Sequence, residues 1–179
     1  MKNHENDELA IKLVSLRLVV LDIHKQRSEV VMTNLGHVVF YVRDLQRSVK
    51  FYTEAVGLGL SGSIFNGRAA VLSGGSTHHE LLLIEVGEAQ GPLQGKRIGL
   101  YHVGWKIGDS IDELKALYNR LTELDYPVDG LSDHTISQSI YLRDPDDNEV
   151  ELFVDNPDYD WSSDDSWMEA PVKPLNLGE

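Results

Sequence analysis

The sequence predicts an α+β protein in which two paired βαβββ modules form one open, partly closed barrel. Three observations lead there. LGHVVFYVRD at 35–44 aligns without gaps with LYHVGWKIGD at 100–109, sharing Leu, His, Val and the closing Asp. Each copy runs into a helical pattern, and each helix is followed by three short strand candidates separated by turn residues. A unit of this size cannot close a core alone, so two copies are expected to share one.

Residues 1–33 read as an N-terminal extension, in which Leu9, Leu13, Leu16 and Val20 fit a loose helical stripe. The first module spans about 34–90. Along 37–42, Val38, Phe40 and Val42 form one apolar face and His37 points the other way. Asp44 is a good N-cap for a helix over 45–56, and Gly57 a good stop. Strands are expected at 58–64, 68–73 and 79–86. The second module spans about 98–156 and repeats the pattern. Val103, Trp105 and Ile107 form the covered face while His102 points away, and Ser110 with Glu113 makes a capping box for a helix that ends before Pro127. Strands are expected at 127–131, 138–143 and 148–154, the last alternating Val150, Leu152, Val154 with Glu149, Glu151, Phe153. The two modules make a single domain over 34–156. Residues 157–179, acidic and aromatic with Pro171 and Pro174 near the end, are expected to be an irregular tail.

Composition narrows the function. The 179 residues carry 41% hydrophobic and 25% charged side chains, as a globular domain does. A net charge of −13 argues against nucleic acid or anionic membrane as a partner, since both need a cationic face. With no cysteine, any metal must use imidazole and carboxylate ligands. The apolar run LVSLRLVVLDI is broken by Arg17 and lacks a small-residue cleavage site, so it fits neither a signal peptide nor a membrane span, and a cytoplasmic location is expected. LSGGS at 72–76 lacks the Lys and helix of a phosphate loop and reads as a hairpin turn.

His37, His102 and Glu151 can all point into the concave surface between the two sheets. Two imidazoles and one carboxylate form a facial triad, which holds a divalent metal such as iron(II) and leaves neighbouring positions open. A lone histidine on a strand is more often a hydrogen-bonded structural residue. Two at equivalent positions of a repeat, with an inward carboxylate that is costly unless paired or metal-bound, favour the triad.

The same residues carry a resemblance. LGHVVF, YHVGW and NEVELF on a duplicated βαβββ unit resemble the vicinal oxygen chelate superfamily, whose fold is that of glyoxalases and extradiol dioxygenases. Within it, His134, five residues, IYLRDP, five residues and Glu151 resemble the signature of type I extradiol (catechol 2,3-) dioxygenases. HHELLLIE at 78–85 is similar to the strand that carries their second-sphere histidine, and FVDNPDYDW with PLNLGE to their tail. The resemblance implies a one-domain form. It implies His37, His102 and Glu151 as ligands of Fe(II), with Mn(II) sharing the same donors. It also implies His79 as the acid/base histidine, His134 as a histidine near the substrate hydroxyl, and Tyr141 as the donor to a substrate oxygen. The implied reaction opens a catechol-type diol with O2, incorporating both oxygen atoms, as in aromatic hydrocarbon catabolism. Asp147 replaces the Gly usual in the family's turn, and Leu82 a smaller residue.

The alternatives are a glyoxalase I-like lyase or epimerase on the same fold, or a non-catalytic small-molecule-binding protein. The lyases need a fourth ligand, and gapless alignment of YLRDPDDNEVELFV with VLSGGSTHHELLLI sets Leu81 opposite Glu151. Leu82, Trp105 and Phe153 suggest an apolar pocket, and the open barrel edge suggests a homo-oligomer.

Overall fold

In the computed structural model, which describes residues 33–92, 95–96 and 98–178, alternation decides which side of each strand is covered. The chain divides into units Met1–Leu35 and Gly36–Glu179, and the architecture is that of the second; the expected extension lies almost wholly outside the described residues. In β1 (Val38–Val42), Val42 is buried and Val38 and Phe40 pack on the core, while Val39 and Tyr41 on the opposite face are exposed. Asp44 accepts the Arg47 N–H and starts α1 (Leu45–Phe51). A π-helical turn at Tyr52–Val56 continues it and ends at Gly57, whose φ of 91° is left-handed. β2 (Gly59–Ile64), β3 (Ala69–Ser73) and β4 (Leu81–Glu85) complete the first module, in the order β1-β4-β3-β2 with β1 and β4 parallel.

The second module repeats this. β5 (His102–Gly108) leads to α2 (Ile111–Glu123), whose Ser110 cap accepts from the Glu113 N–H while the Glu113 carboxylate accepts from the Ser110 hydroxyl. β6 (Val128–Asp133), β7 (Ser137–Arg143) and β8 (Glu149–Asp155) follow. One expectation fails in the tail. Lys173–Pro174 forms β9 and pairs with β6, giving a five-stranded sheet β5-β8-β7-β6-β9. The two sheets are not joined by a strand ladder, so the barrel stays open.

The register corrects the internal alignment. Val38 pairs with Leu81 and Val103 with Val150, so the counterpart of Glu151 is Leu82, and that of Glu149 is Glu80. The connection from Leu72 to Leu81 is one residue longer than that from Leu142 to Val150, and a single residue moves a side chain to the other face. Leu81 is fully buried in the core instead.

One core joins both modules, with Leu72, Leu81 and Leu83 beside Leu114, Leu121, Ile140, Leu142, Leu152 and Val154. Trp105 packs on this core, its ring 6.4 Å from that of Tyr52, so it is not a pocket residue. Polar contacts also cross between modules. Tyr52 donates to buried Asp144 at 2.9 Å, and Arg43 reaches Asp146 through its backbone N–H and its guanidinium. No helix among the described residues is long and apolar enough to cross a membrane.

Candidate functional site

On β8 the apolar residues Val150, Leu152 and Val154 go into the core, which forces Glu149, Glu151 and Phe153 onto the opposite face. Cross-strand pairing then fixes their neighbours. His102 pairs with Glu149, which pairs with Arg143 on β7; Gly104 pairs with Glu151, which pairs with Tyr141. Two polar rows thus lie side by side on one face of the second sheet.

Glu151 is fully engaged. Its Oε1 accepts from Tyr141 Oη at 2.8 Å and from Ser139 Oγ at 2.7 Å, and its Oε2 lies 3.1 Å from His102 Nε2. His134 Nε2 is 2.8 Å from Tyr141 Oη, so His134, Tyr141, Glu151 and His102 form one continuous polar chain. Burial, then the hydrogen bond to Glu151, pushes the Tyr141 phenol well above its ordinary pKa and keeps it a donor. Gly104 leaves the space this needs, since a Cβ there would sit 3.1 Å from Glu151 Oε2. An open cavity of about 450 Å³ lies against His102, His134, Tyr141 and Glu149.

His37, directly before β1, and His79, just before β4, lie together beside the first sheet, with ring centroids 4.6 Å apart. His79 lies two residues before β4, and its imidazole pKa is lowered, first by desolvation and then by the neighbouring His78 and His37. The structure therefore brings His102, Glu151, Tyr141 and His134 together, and His37 with His79. Among the described residues no group of three or more His, Asp and Glu side chains is placed to hold a metal ion.

The donor chemistry nevertheless suits a divalent ion at the second sheet. Two ligands about 2.1 Å from one ion at right angles stand about 3.0 Å apart. The separation of His102 Nε2 and Glu151 Oε2 is 3.1 Å. His37 is the third donor of the expected set. Glu85, four residues beyond Leu81, accepts from the Leu45 N–H at 2.9 Å and serves the start of α1.

Sequence reasoning passed over Ser139, Gly104, Glu149 and Arg143. Ser139 and Arg143 share the parity of Tyr141, a signal that was legible. The roles of Gly104 and Glu149 needed the β5–β8 register.

Three comparisons bear on this geometry. The family model described as Glyoxalase/Bleomycin resistance protein/Dioxygenase superfamily matches residues 34–152. A catechol-2,3-dioxygenase of Bacillus subtilis (strain 168) is 31% identical over 132 residues, covering 74% of this chain and 45% of the relative. Biphenyl-2,3-diol 1,2-dioxygenase 3 of Rhodococcus globerulus is 30% identical over 132 residues, covering 70% of this chain and 65% of that protein. The chain thus spans less than two thirds of the length of these curated relatives. Among solved structures, a glyoxylase/bleomycin resistance protein/dioxygenase domain from Frankia sp. EAN1pec superposes with a TM-score of 0.57 at 20% identity, covering 72% of this chain and 96% of that one. A lactoylglutathione lyase from Agrobacterium tumefaciens superposes with a TM-score of 0.52 at 24% identity, covering 69% and 94%. These likenesses show the fold.

Proposed function

This chain belongs to the glyoxalase/bleomycin resistance protein/dioxygenase superfamily, and from that premise we propose that it is a metal-dependent extradiol dioxygenase that opens a catechol-type aromatic diol with O2. The observation that carries the reading is the chain from His134 through Tyr141 and Glu151 to His102. It offers a candidate metal donor pair, a phenol donor and a histidine, and of these His102, Tyr141 and His134 line one cavity. Two relatives at 30% identity or more are named as dioxygenases of catechol and of biphenyl-2,3-diol, which favours this substrate class.

In this reading His102 and Glu151, with His37, would hold Fe(II) or Mn(II), which when bound would supply Lewis-acid and redox chemistry toward the diol oxygens and O2. Tyr141, kept protonated, would turn its one O–H from Glu151 to a substrate oxygen, and His134, whose Nε2 lies 2.8 Å from the phenol oxygen, would donate to that oxygen. His79, held neutral near pH 7 by its lowered pKa, takes or returns a diol proton. Leu82 stands where a fourth ligand would have to be, which favours three-ligand chemistry over the lyase alternative.

The test is anaerobic reconstitution with iron(II), then oxygen and a panel of catechols, watching for the yellow ring-fission product. His37→Ala, His102→Ala and Glu151→Ala should each abolish it. Metal uptake with no catechol opened would move the lyase or epimerase reading forward. Absence of metal uptake by the wild-type protein would leave a small-molecule-binding role.

A further inference from the structure

Glu149 has no role in the reading above, yet it occupies the position best suited to aim His102. It lies directly opposite His102 on β8 and directly opposite Arg143 on β7. Its two oxygens face those neighbours, and the Tyr101 hydroxyl hydrogen-bonds the same carboxylate. Oε2 accepts from Arg143 Nη2 at 2.8 Å, while Oε1 faces His102 Nδ1 at 3.4 Å. Arg143 is itself fixed, its Nε donating to Asp129 Oδ2 at 3.0 Å and its Nη1 to the Asp147 carbonyl at 3.2 Å. The Glu149 carboxylate, with its side chain only 11% exposed, therefore has little freedom to turn away. On the imidazole, Nε2 is directed at Glu151 and Nδ1 is sealed from solvent without a hydrogen bond of its own.

We propose that Glu149, anchored by Arg143, is a positioning residue that accepts the Nδ1–H of His102 and so frees Nε2 to act as a ligand. The proposal rests on the reading of His102 as a metal ligand. The chemical reason is tautomeric. A neutral imidazole carries one N–H, and a ligating Nε2 requires that proton on Nδ1, where it needs an acceptor once buried. Glu149 supplies the acceptor within the short movement that closes a 3.4 Å contact. A polar side chain without negative charge, but with a carbonyl oxygen, should replace it in part; an aliphatic one should not.

Two measurements separate this proposal from the metal reading. In metal-free protein, urea midpoints of Glu149→Ala, His102→Ala and the double variant should be non-additive, because the two side chains act on each other. Additive midpoints would overturn the proposal whatever the metal does. In titrations with Co(II) alone, Glu149→Ala should bind about 10- to 100-fold more weakly than wild type. Its cobalt absorption spectrum should shift, and Glu149→Gln should recover most of the affinity. Wild-type Co(II) affinity in Glu149→Ala would overturn the proposal. If wild type takes up no Co(II) while the midpoints remain non-additive, the metal reading fails and the Glu149–His102 contact stands.

Discussion

At Glu151 two donors converge on one carboxylate oxygen and an imidazole faces the other, so small changes around it have readable consequences. Gly104→Ala would place a Cβ 3.1 Å from Glu151 Oε2 and 3.4 Å from the Phe153 ring, tighter than ordinary contact. The backbone does not require glycine there, so folding should survive. Co(II) titration should show metal affinity lowered about 10-fold, as for other disturbances of groups around ligands, with little change in the melting temperature. Tyr141→Phe and Ser139→Ala each remove one donor to Glu151 but should differ in effect. Loss of the phenol removes a group that reaches the cavity and should lower kcat about 100-fold, measured on the reconstituted enzyme. Loss of the buried Ser139 hydroxyl leaves the Tyr141 bond intact and should cost about 1 kcal/mol in urea unfolding.

Turns and caps set what each element presents. The β7–β8 turn is built on Asp144, which accepts from the backbone N–H groups of Asp146 and Asn148, the Asn148 amide and Tyr52 Oη. Burial raises the Asp144 pKa against these bonds. Asp144→Ala would leave the Tyr52 hydroxyl and the turn donors unpaired and should destabilise by about 3 kcal/mol or more, read as a lowered urea midpoint. Asp147 takes a φ of 69° in that turn, a conformation that Asp tolerates better than most residues, so replacement of the family's glycine leaves the turn possible. In the first module Glu80, the register counterpart of Glu149, does a different job. It accepts from the N–H groups of Gly74, Ser76 and Thr77, and these bonds, led by that from the Ser76 hydroxyl, hold its carboxyl down to about 2. A depressed carboxyl stabilises the fold above its ordinary pKa of 4.5 and loses that contribution as pH falls toward 2. The protection factors of the Gly74, Ser76 and Thr77 amides, taken against intrinsic exchange at each pH, should therefore fall below about pH 4, and Glu80→Gln should remove this pH dependence. The helix caps at Asp44 and Ser110 were legible because capping chemistry is local. The extra residue before β4 was not, since nothing in the string marks where pairing begins.

Across the whole molecule, the core and the contacts of Tyr52 and Arg43 with the β7–β8 turn tie the two modules together. The unit Gly36–Glu179 should consequently unfold in one cooperative transition. Intrinsic fluorescence, far-ultraviolet circular dichroism and amide signals from both sheets should share one urea midpoint, and separate midpoints for the two sheets would refute this. The repeat itself, the order of strand and helix, the covered face of each strand and the outward parity of His102, Tyr141 and Glu151 were all present in the sequence. Each depends on residue spacing along one segment. The tail strand β9, the counterpart of Glu151 in the first module and the bracketing of His102 by two carboxylates were decided only by tertiary structure. They depend on which residues pair across strands, and pairing is fixed by the packing of distant segments around one core rather than by local pattern.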